Sequence, residues 1–157
     1  VAAERGLQCY RSASGSLSLI RLIDRPVLLT LQRPGQPAAL AALVGLDEQR
    51  ATVMVDGQPR TVALPELASV WRGEFTTFWR VPPGYVGRAE NGAPLRAWLV
   101  EQLGRVSGLP DGLTLPRQVQ AFQASQGLQP DGRVGPITLM QINRAAGVAE
   151  PRLNPAR

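Results

Sequence analysis

Apolar positions change their period partway along the chain. Up to about residue 81 the apolar runs are short and strand-like, and from Leu95 onward they recur at helical spacing. In the first part, Leu17, Leu19, Ile20, Leu22 and Ile23 make a short helix, with Ser14, Ser16 and Ser18 as capping candidates. Pro26 stops it, because the residue before a proline is pushed towards extended geometry. Residues 27–31 and 38–46 read as buried strands, the second interrupted at Gly45. Residues 51–55 and 60–64 read as a hairpin around Asp56-Gly57, two residues that tolerate positive φ. Pro65, Glu66 and Leu67 then open a short helix that carries Val70 and Trp71 and ends at Gly73. Residues 74–81, aromatic and β-branched, give the last strand. The expectation is a small antiparallel sheet with one helix before it and one between its last two strands.

Pro82, Pro83 and Gly84 break both periodicities and mark a boundary. Leu95, Trp98, Leu99, Leu103 and Val106 then line one face of a helix opened by Pro94 and closed by Gly108 and Pro110. A second helix carries Leu115, Val119 and Phe122 inward, with Gln118, Gln120 and Gln123 at the polar positions between. Gly127-Leu128 has the form of a C-terminal stop, with glycine left-handed and leucine folding back. Asp131-Gly132 is a turn and Val134 an apolar plug. Pro136 starts a third helix that buries Leu139 and Ile142 and ends near Gly147. The fold class is therefore α+β, a small sheet with short helices followed by a three-helix domain. The ranges expected are 1–84, 85–148 and a tail over 149–157.

Composition narrows the chemistry. All 17 basic residues are arginine, and the net charge is +5. The surface favours an anionic partner, but the charges are scattered singly, so nucleic-acid binding is not expected. With one cysteine and no histidine, neither a Cys-His dyad nor a Ser-His-Asp triad can be built from this chain. A usual zinc site lacks its ligands, and no metal or cofactor is expected. Two readings of Cys9 stay open: a buried small apolar side chain, or half of a disulfide whose partner lies outside this sequence. No apolar run is long enough to span a bilayer. Because the sequence opens on Val1, it is expected to be part of a longer protein, with any membrane segment upstream.

Two resemblances sharpen this picture. Gly6-Leu7-Gln8-Cys9, Asp24-Arg25-Pro26-Val27-Leu28, Val70-Trp71-Arg72-Gly73 and Phe78-Trp79-Arg80-Val81-Pro82 resemble the papain-like fold of bacteriocin-processing cysteine peptidases. They also look closely like its degenerate copy in the general secretion pathway protein A family. Active relatives carry a histidine at the strand opening where this chain has Pro37, Ala38 and Ala39. Asp56 stands about where the orienting acid would be, with no base to orient, so Cys9 is not assigned as a nucleophile and no catalytic residue is expected. Further on, Val119-Gln120-Ala121-Phe122-Gln123, Gly127-Leu128, Asp131-Gly132, Val134-Gly135-Pro136, Thr138-Leu139 and Asn143 resemble the type 1 peptidoglycan-binding domain. One departure is a shortened turn, Gly112-Leu113-Thr114 after Asp111.

Within that pattern Phe122, Val134 and Leu139 read as core, and Gly127, Gly132, Gly135 and Pro136 as backbone geometry. Trp71 and Trp79 read as core in preference to sugar-stacking platforms. Candidate contacts to ligand are Gln118, Gln126, Arg133, Gln141 and Arg144, with Asp131 and Thr138 as turn residues that could also reach it. Amide side chains can pair with glycan hydroxyls, and arginine with a stem-peptide carboxylate. The resemblances imply a non-catalytic periplasmic module of an inner-membrane-anchored protein. It would hold peptidoglycan during assembly of the type II secretion secretin, beside a B-type partner protein. Self-association stays open. The rival readings are a wall-targeted cysteine peptidase or amidase, and a protein-protein scaffold of the envelope.

Overall fold

The computed structural model describes residues 6–85 and 92–154. They are organised as α+β, with six strands in one sheet and five short helices. In chain order these are β1 (Leu7–Ser12), α1 (Leu17–Ile23), β2 (Val27–Leu31), β3 (Ala39–Leu46), β4 (Arg50–Val55), β5 (Gln58–Ala63), α2 (Leu64–Val70), β6 (Trp71–Arg80), α3 (Ala93–Gly104), α4 (Leu115–Ser125) and α5 (Pro136–Ala145). The described residues fall into two compact units. One holds 9–79 and 150–154, the other 6–8, 80–85 and 92–149. No helix among the described residues is long and apolar enough to cross a membrane.

In the sheet unit the strand order is β1-β6-β2-β3-β4-β5, so the last strand in sequence is inserted between the first two. β6 shows why one face is the core. Trp71, Gly73, Phe75, Thr77 and Trp79 are buried, while Arg72, Glu74, Phe78 and Arg80 are exposed, the period of two of a half-buried strand. Ile20 and Ile23 of α1 and Leu67 of α2 join that core with Val27, Leu29, Leu43 and Val53. Local chemistry sets the element ends. Ser16 caps α1 by accepting from Leu19 N–H at 3.1 Å. Asp56 and Gly57 take φ of 51° and 76°, and Val55 pairs with Gln58 across the two-residue turn.

Three features differ from the sequence expectation. An additional strand, β1, precedes α1. Trp71 is the first residue of β6 instead of the end of a helix, with its indole N–H donating to Glu74 O at 2.8 Å. Gly73 therefore lies within β6, where it meets Gly15: Gly15 N–H donates to Gly73 O at 2.8 Å. A Cβ on Gly73 would lie 2.8 Å from Gly15 O, and its φ of 97° suits only glycine. The tryptophan-x-glycine pattern is thus a strand start with a close backbone crossing.

The segment expected as a tail is built into the sheet unit. Glu150 forms a two-point ion pair with Arg25, at 2.9 and 3.3 Å, with the side chains 7% and 4% exposed. Leu153 is buried and donates its N–H to Asp24 O. The Asn154 amide accepts from Leu46 N–H and donates to Leu46 O, both at 2.9 Å, in the manner of an added strand residue. Arg152 pairs with Asp24 at 3.3 Å.

Candidate functional site

The helical unit is built from α3, α4 and α5, each opened by a proline in its first turn. Leu95, Leu99 and Leu103 of α3 meet Val119 and Phe122 of α4 and Leu139, Met140 and Ile142 of α5 in a fully buried core. Val134 enters that core from the turn, as the sequence leads one to expect. Both α4 and α5 end in the same way. Leu128 N–H reaches Gln123 O and Gly127 N–H reaches Ala124 O. At α5, Val148 N–H reaches Asn143 O and Gly147 N–H reaches Arg144 O. Gly127 and Gly147 take φ of 68° and 76°, the left-handed stop that satisfies the last carbonyls.

The turn between α4 and α5 is held by one buried side chain. The Gln123 amide N–H₂ lies 3.0 Å from Asp131 Oδ1, 2.9 Å from Arg133 O and 3.2 Å from Thr138 Oγ1, while its Oε1 accepts from Gly132 N–H at 2.9 Å. Two amide hydrogens serve three acceptors, so one of these contacts is shared. Asp131 Oδ1 also accepts from Arg133 N–H at 2.8 Å, closing the turn on itself. Gly132 is left-handed, and a Cβ there would press against Gln120 at 3.2 Å. A residue placed among the polar positions of α4 is therefore the central fastening of the unit, 2% exposed.

The candidate contact residues divide accordingly. Asp131, Thr138 and the Arg133 backbone are brought together through Gln123. Thr138 and Gln141 are buried, at 6% and 0% exposure, so their geometry differs from that of surface contacts. Thr138 faces the turn and Gln141 lies within the packing of α5. Gln118 and Gln126 are half-buried on α4 and at its end, and Arg133 and Arg144 are exposed. No carboxylate among the described residues forms an ion pair with Arg133. Sequence reasoning missed Asn143 as a fastening: it is 2% exposed and its amide donates to Arg80 O at 2.8 Å.

The hydrogen bond from Arg133 N–H, then that from Gln123, hold the Asp131 carboxyl below its usual range. A depressed folded pKa gives stability that is present above the unfolded value and is lost as pH falls through the folded one. Asp131→Asn, which keeps the acceptor oxygen, is expected to flatten the acid side of the helical unit's stability profile. Thermal unfolding followed between neutral pH and about pH 2 checks this. A variant that loses as much stability on acidification as the parent would contradict it.

In the sheet unit Cys9 is free and exposed on β1, so the buried reading of this thiol is overturned. β1 leaves Gln8, Cys9 and Arg11 exposed. Ala39 opens β3, and Asp56 sits in the hairpin turn. No histidine stands at any position of the chain.

The helical unit matches the family model described as "Putative peptidoglycan binding domain" over residues 101–142. That range begins inside α3 and ends inside α5, with the Gln123 turn at its centre. Nearly the whole chain, 97%, is 32% identical to part of "General secretion pathway protein A" of Aeromonas hydrophila, of which it covers 29%. It is 29% identical to part of "Putative general secretion pathway protein A" of Escherichia coli strain K12, covering 93% of this chain and 31% of that one. The chain thus spans about a third or less of the length of these relatives. A crystal structure of a periplasmic domain of the EpsAB fusion protein, from the Vibrio vulnificus type II secretion system, superposes with a TM-score of 0.60 at 28% identity. That match covers 93% of this chain and 68% of the other.

Proposed function

This chain is related over nearly its whole length to a segment of the general secretion pathway protein A family, and we propose that it is a non-catalytic, peptidoglycan-binding periplasmic module of a type II secretion assembly protein. The observation that carries the reading is the Gln123-fastened turn inside the matched helices. It holds the backbone of Arg133 between α4 and α5 and leaves that side chain exposed. Arg133 and Arg144 would meet stem-peptide carboxylates, and Gln118 and Gln126 glycan hydroxyls or peptide carbonyls. Asp131 and Thr138 would act by holding the turn.

Kinship with the secretion proteins supports an inner-membrane-anchored, periplasmic setting. In that setting the module would fix the assembly to the wall while the secretin is built, with a B-type partner and, in an oligomer, with other copies of itself. Many weak contacts to a repeating polymer would then add up through avidity. The lack of any histidine supports a sheet unit that cuts nothing.

Co-sedimentation with purified, insoluble peptidoglycan tests the reading. The chain is expected to pellet, and Arg133→Ala with Arg144→Ala to weaken pelleting by about tenfold, the scale of a charge-assisted hydrogen bond. A chain that stays in the supernatant at moderate salt, alone and as an oligomer, is incompatible with it. Soluble fragments released from the wall, and lost with Cys9→Ala, would favour the peptidase reading instead.

A further inference from the structure

The sheet has a face opposite its core, and part of that face is apolar and uncovered. On β6 the positions that alternate with the core include Glu74, Thr76 and Phe78. Thr76 lies beside Leu28 of β2, and Thr30 of β2 lies beside Leu40 of β3. β1 runs antiparallel to β6, since Val81 N–H donates to Gly6 O at 3.1 Å and Gly15 N–H to Gly73 O at 2.8 Å. Counting along the strands from Gly6 and Val81 sets Cys9 beside Phe78 and Arg11 beside Thr76. An open hollow of about 610 Å³ lies over these strands, with half-buried Leu28, Thr30 and Thr76 in its lining. Phe78 and Leu40 also line it, 48% and 69% exposed, and are two of the three large apolar side chains left exposed among the described residues. Exposed apolar side chains gathered on one patch mark an interaction site. Arg11 and Glu74, exposed in the same lining, form no ion pair among the described residues.

From this arrangement we infer that the face docks the same face of a second copy of this chain about a two-fold axis. Such a contact needs a self-complementary surface, and the charges supply one: an arginine and a glutamate, each without a partner. An axis in the plane of contact, midway between Arg11 and Glu74 and perpendicular to the line joining them, sets each copy's Arg11 opposite the other's Glu74. With strands about 4.8 Å apart and same-face residues about 6.7 Å apart, the same rotation carries Phe78 over the other copy's Leu28, Thr30 and Leu40. One operation thus pairs all four charges and seats each phenyl ring in the hollow of the other copy. Glu74 in the lining disfavours the anionic lipid surface that an apolar face with arginines alone would suit. Four strands at that spacing give a face of roughly 300–400 Å² per copy, about half of a standard interface, so the dimer is weak, with Kd on the order of 0.1 mM.

The test contains no peptidoglycan, so this inference and the wall-binding reading can fail separately. The 157-residue chain is sedimented over a concentration series from about 10 μM to 0.5 mM at low salt. A reversible monomer–dimer equilibrium is expected. Arg11→Glu and Glu74→Arg should each weaken it about tenfold or more, because each leaves like charges facing each other twice in the dimer. The double variant, Arg11→Glu with Glu74→Arg, should return the association to within about threefold of the parent, since the pairs re-form with their signs exchanged. Phe78→Thr, which keeps a strand-forming residue, should weaken the dimer about tenfold. All these side chains are exposed, so the melting temperature of the monomer should stay nearly unchanged. A chain that is monomeric throughout the series, single variants that associate like the parent, or a double variant that does not recover would each overturn the inference. So would a monomer that binds phosphatidylglycerol vesicles and loses them with Phe78→Thr, which would make the face a membrane contact.

Discussion

Glu150→Gln is expected to lower the melting temperature of the sheet unit by about 10 °C or more, corresponding to a loss of about 3–5 kcal/mol. The reason is the location of its partner. Arg25 is 4% exposed, and its guanidinium touches Glu150 at two points and Phe78 O at 3.3 Å. Its Nε has no acceptor among the described residues. Removing the carboxylate charge leaves a guanidinium in the interior with one carbonyl and a neutral amide to answer it. A buried charge without its counter-charge costs far more than an exposed pair gains. The double replacement Arg25→Met with Glu150→Leu should lose much less than the single change, because it removes both charges together. Circular dichroism in the aromatic region, where Trp71 and Trp79 report on this core, follows the transition. If the single variant melts with the parent, the C-terminal segment rests on the unit without stabilising it. A chain ending at Ala149 extends the same test, since it also removes buried Leu153 and the Asn154 bracket around Leu46.

That segment also marks the limit of what the sequence reveals. Elements governed by neighbouring residues are legible. The Asp56-Gly57 hairpin, the Ser16 cap, the proline-opened helices and the glycine stops at 127 and 147 follow from local backbone chemistry. The period of each strand and helix identifies most of the core. By contrast, Glu150-Pro151-Arg152 has no period, and its partners Asp24 and Arg25 lie more than 120 residues away. β1 is hard to read for a related reason. As an edge strand it leaves Gln8, Cys9 and Arg11 exposed, so it lacks the alternation that would identify it. Trp71 is read into the preceding helix because its spacing from Leu67 fits a helical turn. Its actual partners, Leu31 across the sheet and the Glu74 carbonyl, are set by tertiary structure. At the candidate site the motif locates the turn. It does not reveal that Gln123 is inside, because an amide between apolar positions on a helix ordinarily faces water.

Gln123→Leu is therefore the sharper test of the helical unit. Leucine has nearly the same volume, so the core contacts survive, but four polar groups lose their common partner. Gly132 N–H and Arg133 O become unanswered in part-buried surroundings, Thr138 loses its donor, and Asp131 keeps only Arg133 N–H. Each unsatisfied buried group costs about 1–3 kcal/mol, so a loss of about 2–4 kcal/mol is expected, with the lower melting temperature confined to this unit. Gln123→Glu should be worse than leucine at neutral pH. A carboxylate has no hydrogen to offer Asp131 or Arg133 O, and it faces the Asp131 charge at the place where the amide donated. Acidification should recover part of that difference as one of the two carboxyls takes up a proton. The same variants separate fastening from ligand contact. If Gln123 acts by holding the turn, pelleting with peptidoglycan should fall in step with thermal stability, and cooling should restore both. Loss of pelleting at unchanged stability would instead place the Gln123 amide on the ligand itself.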